Sequence, residues 1–215
     1  MIIEIDQLNR TGWIEVEGIA SQENLLELAC SVGTLLPLPD GSLVEDISPS
    51  SEESSRPGTL SNRFGYGNFP LHSDTAHWSV PARYVVMCII ERNYCDTLVI
   101  NVKDIFNSLN KDELDCVRSA TYLISTFEGK KYTSPLLNIN GVLGFKYDPA
   151  CMMPANKSAK VFHRALIDAL SRNLPHHIKW SGNKAVVIDN WAALHGRAEI
   201  TDVNLPRRLL RVYVR

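Results

Sequence analysis

The amino-acid sequence predicts a single, mainly β domain with flanking helices, of the antiparallel double-sheet or jelly-roll kind. Its 215 residues are 45% hydrophobic, enough for one sizeable core but hardly for two, so we expect residues 1–215 to form one domain. Many short β-rich runs separated by turn formers, with only a few helical stretches, favour packed antiparallel sheets over a repeated strand-helix-strand unit.

The first part of the chain predicts a strand, a helix and a polar loop. Residues 11–16 alternate as a short strand, and Ser21 can cap a helix over residues 22–31 that ends at Gly33. Residues 48–61 are rich in Ser, Glu, Pro and Gly and offer almost nothing to bury, which is typical of a surface loop. This loop is either a solvated connection or a lid over a functional site.

The rest of the chain alternates between strands and helices. Residues 83–91 and 97–102 are β-rich and separated by a short polar break, which predicts a hairpin or meander. Residues 156–174 carry apolar side chains at helical spacing before Pro175, which predicts a helix that covers one face of a sheet. The other predicted elements are helices at residues 104–109 and 111–119 and strands at residues 122–127, 185–188 and 208–214.

Composition argues against several classes of protein. The 22 basic and 24 acidic residues give a formal net charge of −2 without a long basic run, so we expect no nucleic-acid partner. No apolar run approaches the roughly 20 residues of a membrane span, and the N-terminus has no secretory signal, so we expect a cytoplasmic protein that does not bind membranes. The five cysteines are scattered and never occur as Cys-x-x-Cys, which predicts reduced thiols and neither a disulfide framework nor a zinc site.

The first chemical signal is a pair of potential metal ligands, His72 and Asp74. On a strand, residues two apart point to the same face, so an imidazole and a carboxylate can reach one ion together. An ordinary His–Asp hydrogen bond is the alternative. His195, which follows an apolar strand much later in the chain, could complete two nitrogens and one carboxylate on one face of a metal ion. Such a triad suits Fe(II), because three adjacent positions stay open for a bidentate cosubstrate and dioxygen.

A further signal is a pair of arginines in the last predicted strand. Arg207 and Arg211 share one face of that strand, while Leu210, Val212 and Val214 share the other. A buried guanidinium requires an anion, and its planar fork matches a carboxylate. Arg211 therefore suits the distal carboxylate of a dicarboxylic cosubstrate.

Together, these residues resemble the Fe(II)/2-oxoglutarate-dependent oxygenases of the taurine dioxygenase and clavaminate synthase-like superfamily. The resemblance rests on His72-x-Asp74, on His195 followed by Gly-Arg, and on Arg211 sixteen residues further. It implies a double-stranded β-helix in which the two histidines and the aspartate hold iron, with 2-oxoglutarate and dioxygen as cosubstrates. It also implies hydroxylation of a small polar molecule, with a free amino acid or an amino-acid derivative favoured as the substrate.

The resemblance also assigns residues to the cosubstrate. Thr97 matches a threonine whose hydroxyl touches the 2-oxoglutarate tail, and Arg211 looks like the arginine on the same carboxylate. Arg207 resembles an arginine near the other end of the cosubstrate or on an anionic substrate. The chain departs from the family pattern where Tyr94-Cys95-Asp96 replaces a glycine pair before Thr97. Because Asp74 is a carboxylate and not Gly or Ala, halogenation is disfavoured.

Five more residues are candidates for contacting the substrate. They are Arg63, Tyr66, Asn68, Trp78 and Asp148, of which Asp148 could face a substrate amine. Each has a structural alternative, namely turn formation, aromatic packing or a surface turn. Two other functions stay open at this point: a cupin-like metalloenzyme that does not use 2-oxoglutarate, and a non-catalytic jelly-roll binding module. The sequence does not indicate an oligomeric state.

Overall fold

Two stacked antiparallel β-sheets form the centre of the structure, and helices cover their outer faces. This computed structural model describes residues 4–55, 59–89, 95–180, 182–202 and 208–215. The helices are α1 (Ile5–Thr11), α2 (Gln22–Val32), α3 (Leu60–Phe64), α4 (Val102–Asn107), α5 (Lys111–Ser119) and α6 (Lys157–Arg172). The strands are β1 (Trp13–Glu17), β2 (Leu35–Leu36), β3 (Glu45–Ile47), β4 (Phe69–His72), β5 (Tyr84–Ile89), β6 (Thr97–Asn101), β7 (Tyr122–Thr126), β8 (Gly129–Thr133), β9 (Leu136–Ile139), β10 (Val142–Phe145), β11 (Met152–Pro154), β12 (His176–Ile178), β13 (Lys184–Asp189), β14 (Ala193–Arg197) and β15 (Leu209–Val214).

The two central sheets differ in size and connect through crossovers. The larger sheet has the order β1-β13-β5-β15-β2, and β3 pairs with another part of β15. The smaller sheet has the order β12-β6-β14-β4. A three-stranded sheet, β11-β7-β8, and the hairpin of β9 and β10 complete the described strands. All these pairs are antiparallel, so the predicted mainly β jelly-roll fold with flanking helices is confirmed.

Strand β15 shows how the sequence pattern divides the core into layers. Leu209 and Tyr213 belong to the apolar cluster between the two sheets. Leu210 and Val212 point to the opposite side and pack in the cluster under α2. Arg211 has the parity of the inner face, so the alternation directs its guanidinium between the sheets, as the sequence predicts.

Helix α6 covers the outer side of the smaller sheet. The Asn156 side chain accepts a hydrogen bond from the Ala159 N–H and caps the helix. The buried residues of α6 join an apolar cluster that contains Ile100 and Leu194 of the smaller sheet. This confirms the predicted helix, whose apolar stripe consists of Ala159, Phe162, Ala165, Leu166 and Ala169.

Two local predictions were wrong. The strands at residues 83–91 and 97–102 do not form a hairpin: β5 pairs with β13 and β15 in the larger sheet, and β6 pairs with β12 and β14 in the smaller one. Both strands are largely buried as central strands, and local sequence does not specify which distant strands pair with them. His195, expected just past a strand end, lies within β14.

No helix in the described ranges is long and apolar enough to cross a membrane. All five cysteines are free thiols, and Cys88, Cys95 and Cys151 are buried.

Candidate active site

His72 and His195 stand side by side on neighbouring strands of the smaller sheet. His72 is the last residue of β4, and its partner in the register of β14 is His195. The centroids of the two imidazole rings are 4.8 Å apart. Asp74 follows in the turn after β4. The pairing of the strands therefore sets the separation of the two imidazoles, and a short turn brings the carboxylate to them.

The three side chains form a buried cluster of potential metal ligands. His72 Nε2 lies 3.4 Å from Asp74 Oδ1, and His195 Nε2 lies 3.5 Å from Asp74 Oδ2. One ligand atom from each residue lies within 4.8 Å of the other two. Only 6% of His72, 7% of Asp74 and 4% of His195 is exposed. Two imidazole nitrogens and one carboxylate are thus directed at a common point.

Hydrogen bonding shows that this point suits a cation. His72 Nδ1 lies 2.8 Å from the carbonyl oxygen of Pro70, which can only accept, so Nδ1 carries the proton. In the neutral ring, Nε2 then has a lone pair that faces a carboxylate oxygen, a second acceptor. Metal–ligand bonds of about 2.1 Å at right angles would place neighbouring ligand atoms about 3 Å apart, close to the 3.4 and 3.5 Å between Asp74 and the two imidazoles. The donor set fits a ferrous ion with three further coordination positions.

The electrostatics of the three groups agree with this fit. Burial lowers the pKa of His195 and favours its neutral, metal-binding form. Burial has the same effect on His72, but the hydrogen bond to Asp74 and the charge of Asp74 outweigh it, so the pKa of His72 is raised. A metal ion at this site would therefore compete with a proton for His72 Nε2.

Arg211 keeps the Asp74 carboxylate ionised. Its Nη1 donates to Asp74 Oδ2 at 2.8 Å. Burial alone would raise the pKa of Asp74, but the charges of Arg211 and His195 lower it well below its ordinary value. The Nε and Nη2 groups of Arg211 donate to Glu45 Oε2 at 3.1 and 2.6 Å. A ligand carboxylate that uses this edge of Arg211 would therefore have to exchange with Glu45.

Backbone contacts hold the turn that carries the ligands. The Ser73 N–H donates to the carbonyl of Tyr147 at 2.7 Å, and the Tyr147 N–H donates to Ser73 Oγ at 3.3 Å. The side-chain amide of Asn190 accepts from the Asp74 N–H at 2.9 Å and donates to the Asp74 carbonyl at 2.9 Å and to the Ala82 carbonyl at 3.0 Å. Asn190 is fully buried and fixes the main chain of Asp74 on both sides.

The hydroxyl group of Thr97 is free to donate a hydrogen bond to a carboxylate ligand. It begins β6, is 3% exposed and lines the same cavity as the two histidines. Its hydroxyl accepts from Trp180 Nε1 at 3.1 Å, so its own proton is directed elsewhere and can be donated to an anion. The other residue assigned to the cosubstrate, Arg207, lies outside the described residues.

A cavity of about 700 Å³ opens beside the metal-ligand cluster. Three of the predicted substrate residues, Arg63, Trp78 and Asp148, line it. Tyr66 and Asn68 are not among its lining residues. The Tyr66 carbonyl accepts from the Ile200 N–H at 2.9 Å, and Asn68 is exposed in the connection to β4.

Residues 45–65, which we call the covering segment, form one wall of this cavity. The segment starts in β3, continues through the polar residues predicted as a loop or a lid, and ends after α3; residues 56–58 lie outside the description. Ser48, Ser54 and Ser61 are among its cavity-lining residues. Described residues of the predicted surface loop therefore contribute to one wall of the cavity, and closure of the loop on a ligand stays a prediction.

Sequence reasoning assigned no role to three residues that the structure brings to the site. Glu45 binds Arg211, Asn190 holds Asp74, and Arg197 lines the cavity two residues after His195. For Asn190 a signal existed, since a polar pair, Asp189-Asn190, directly follows a buried strand. Nothing in the local sequence around Glu45 indicates its ion pair, because that contact depends on the pairing of β3 with β15.

Comparisons with known proteins agree with this geometry. The profile of a family described as "Taurine catabolism dioxygenase TauD, TfdA family" matches residues 4–213. A search of curated proteins gave no match.

Solved structures with the same fold were also found. One is an asparagine oxygenase in complex with Fe(II), 3-hydroxyasparagine and succinate, with a TM-score of 0.78 and 18% identity over 98% of this chain and 77% of that chain. The non-heme iron oxygenase OrfP in complex with Fe and alpha-ketoglutaric acid has a TM-score of 0.77 and 17% identity, over 98% and 77%. PvcB from Pseudomonas aeruginosa has a TM-score of 0.72 and 16% identity, over 98% and 78%.

The family profile spans nearly the whole described chain, and it encloses all three potential metal ligands. The chain therefore belongs to the TauD, TfdA family of dioxygenases, which confirms the resemblance and the expected class of Fe(II)/2-oxoglutarate-dependent oxygenase.

Proposed function

We propose that the chain hydroxylates a free amino acid or an amino-acid derivative, with iron held by His72, Asp74 and His195. The observation that carries this proposal is the convergence of the three ligands at the wall of a cavity that also contains charged groups of both signs. A bound ferrous ion would supply dioxygen activation coupled to decarboxylation of 2-oxoglutarate. The protein supplies the ligand geometry, an anion site and a pocket that excludes water.

The charged groups of the cavity suit a zwitterion. Arg63 and Arg211 are cationic, and Glu45 and Asp148 are anionic. Among the described residues, Asp148 forms no ion pair with a basic side chain; it accepts hydrogen bonds from the Ala150 N–H at 2.7 Å and from Cys151 Sγ at 3.4 Å. A carboxylate in this state can receive the ammonium or another cationic group of a substrate.

The anion sites suit the carboxylate of an amino acid and the distal carboxylate of 2-oxoglutarate. Thr97 can donate its hydroxyl proton to a carboxylate. The Nε and Nη2 groups of Arg211 can do the same if the carboxylate of Glu45 moves aside. We propose that the distal carboxylate of 2-oxoglutarate binds Thr97 and Arg211, with Arg207 at the other end of the cosubstrate or on the substrate.

Solved structures with the same fold support the choice of substrate class. The asparagine oxygenase was crystallised with hydroxyasparagine, and OrfP with (3S)-hydroxy-L-Arg. Both compounds are hydroxylated amino acids. At 18% identity these structures share the fold with this chain, so the particular amino acid must come from experiment.

The test is turnover with a panel of the standard L-amino acids in the presence of Fe(II), 2-oxoglutarate and air. We expect succinate, and a product heavier than its amino acid by one oxygen, for at least one member of the panel. Asp74→Ala should abolish both products. A wild-type protein that binds iron but forms no succinate, with or without any amino acid, would contradict the proposal and favour a cupin-like enzyme or a binding module.

A second experiment tests the role of Asp148. With the amino acid identified by the panel, Asp148→Asn should raise KM at least about tenfold and change kcat little, because it removes a charge-assisted contact to the substrate. The matched control is Asp168→Asn, which changes an exposed aspartate on α6. An unchanged KM for Asp148→Asn would remove this residue from the substrate site.

A further inference from the structure

Among the described residues of the covering segment, only Gly65 is buried. The segment's helix α3 contains no buried residue, and the hydrogen bond from Asn62 Nδ2 to the Glu52 carbonyl lies within the segment itself. At its start, β3 pairs with β15 of the larger sheet. At its end, the chain enters β4, which pairs with β14 of the smaller sheet. The segment thus spans from one sheet to the other across the cavity.

Arg197 makes the attachment at the end of the segment. Its Nη2 donates to the carbonyl oxygens of both Gly65 and Gly67, each at 2.6 Å. Its guanidinium carbon lies 3.6 Å from the centroid of the Phe69 ring, a cation–π distance. Arg197 is 5% exposed, so these interactions are formed in a desolvated environment where they are strong.

The position of Arg197 links this attachment to the iron site. It lies on β14 two residues after His195, and both side chains line the cavity. In the register of the smaller sheet, Arg197 is opposite Thr97 on one side and opposite Phe69 on the other. The intervening Gly196 permits close contact, since a Cβ atom there would lie 2.6 Å from the Phe69 carbonyl oxygen.

We propose that Arg197 is a positioning residue that latches the end of the covering segment onto the strand that carries His195. With the latch in place, the segment closes the cavity around the substrate. Without it, the segment moves away from the smaller sheet and water enters. In the presence of an added two-electron reductant such as ascorbate, 2-oxoglutarate and dioxygen are then converted to succinate, carbon dioxide and water without hydroxylation of the substrate. Only the last consequence, the loss of coupled hydroxylation, rests on the proposed function; the attachment of the segment by Arg197 does not.

Lysine cannot replace arginine in this latch. A planar guanidinium can lie flat on the Phe69 ring while one nitrogen donates to two carbonyl oxygens, whereas an ammonium is a compact, strongly hydrated charge. Arg197→Lys should therefore behave like Arg197→Met, although it preserves the charge. Because Lys is the milder change, it also provides a variant that folds if Met does not.

The first test measures hydrogen exchange of the metal-free protein by mass spectrometry. In both variants we expect amides of residues 59–69 to exchange at least about tenfold faster, while those of β5 and β13 keep their wild-type rates. The matched control is Arg208→Met, which removes an exposed pair with Asp46 at the other end of the segment and should leave residues 59–69 unchanged. Unchanged exchange in both Arg197 variants would overturn the proposal, and so would faster exchange throughout the larger sheet, which would indicate a general role in stability.

The second test measures the coupling of the reaction. For the amino acid found in the panel, the Arg197 variants should form more succinate per hydroxylated product than the wild type, and KM should rise more than kcat falls. In Arg197→Ala, millimolar ethylguanidinium should restore coupling and ethylammonium should not. If the variants form succinate and hydroxylated product in the same ratio as the wild type, the proposed role of Arg197 is refuted. If no amino acid is hydroxylated by the wild type, the proposed function fails while the exchange experiment still decides on the latch.

Discussion

Lys146 offers a quantitative test of the energetics of this fold. It follows β10 and is only 2% exposed, and its Nζ donates to the Trp78 carbonyl at 3.2 Å. Burial, with a smaller contribution from the charge of Lys131, lowers the pKa of Lys146 from 10.5 to about 8. The folded protein therefore holds a lysine whose charged form is disfavoured.

The difference between the pKa of Lys146 in the folded protein and in the unfolded chain gives the free-energy cost of burying its charge. The gap between about 8 and 10.5 corresponds to about 3 kcal/mol of destabilisation while Lys146 is charged. Below pH 8 the lysine is charged in both states and the whole penalty applies. Between pH 8 and 10.5 the unfolded chain binds more protons than the folded one, so this contribution to stability rises with pH, and above 10.5 the penalty is gone.

The test replaces the lysine by a neutral side chain of similar length. Lys146→Met removes the penalty but also a hydrogen bond worth about 1 kcal/mol, so we expect the free energy of unfolding at pH 7 to rise by about 2 kcal/mol. This advantage over the wild type should shrink as pH rises from 8 and reverse at about pH 10, where the remaining penalty falls below the roughly 1 kcal/mol of the lost hydrogen bond.

Urea unfolding, followed by circular dichroism at several pH values, gives the free energies of unfolding of the wild type and of Lys146→Met. Their difference removes the contributions of all other titrating groups, because the two proteins share them. Lys160→Met, an exposed change on α6, is the control and should differ little from the wild type at any pH. A stability difference between Lys146→Met and the wild type that does not vary between pH 7 and 10 would refute the reasoning.

Three further expectations concern the iron site. Asn190→Ala should weaken Fe(II) binding about 10- to 100-fold in an anaerobic titration, because it releases the main chain of Asp74. Arg211→Met should raise the pKa of Asp74, so that iron binding is lost at a higher pH on acidification, and should raise KM for 2-oxoglutarate. Gly196→Ala should destabilise the fold by a few kcal/mol in urea unfolding, because its Cβ would lie 2.6 Å from the Phe69 carbonyl oxygen.

Each of these expectations has a result that would contradict it. Wild-type iron affinity in Asn190→Ala would show that the Asp74 main chain needs no support from this amide. If Arg211→Met changes KM for the amino acid but not for 2-oxoglutarate, the guanidinium serves the substrate carboxylate instead of the cosubstrate. Wild-type stability of Gly196→Ala would mean that β4 and β14 can separate without loss.

The convergence of the three potential metal ligands was predictable because their identities and order carry a specific chemical pattern. Neither His72 with Asp74 nor His195 is informative alone, but together they define a donor set that few arrangements other than a metal site explain. The apolar periodicity of α6 and the alternation of β15 were equally informative, because both patterns follow directly from helix and strand geometry.

The residues that support the ligands were not predictable in this way. Asn190 and Arg197 act through backbone groups of distant segments, and a backbone carbonyl has no signature in the sequence. The wrong hairpin of β5 and β6 has the same cause, since strand character is local but the choice of sheet depends on long-range pairing. Tyr66 and Asn68 lie close to His72 in sequence, yet neither is among the residues that line the cavity.

The register of His72 opposite His195 also bears on how the molecule reaches its native state. The two imidazoles belong to strands far apart in the chain, so they meet only after a large loop has closed, a slow event in folding. A ferrous ion can contribute its full binding energy only once that pairing exists. Iron should therefore slow unfolding more than it accelerates refolding, and its capture would report that assembly of the smaller sheet is complete.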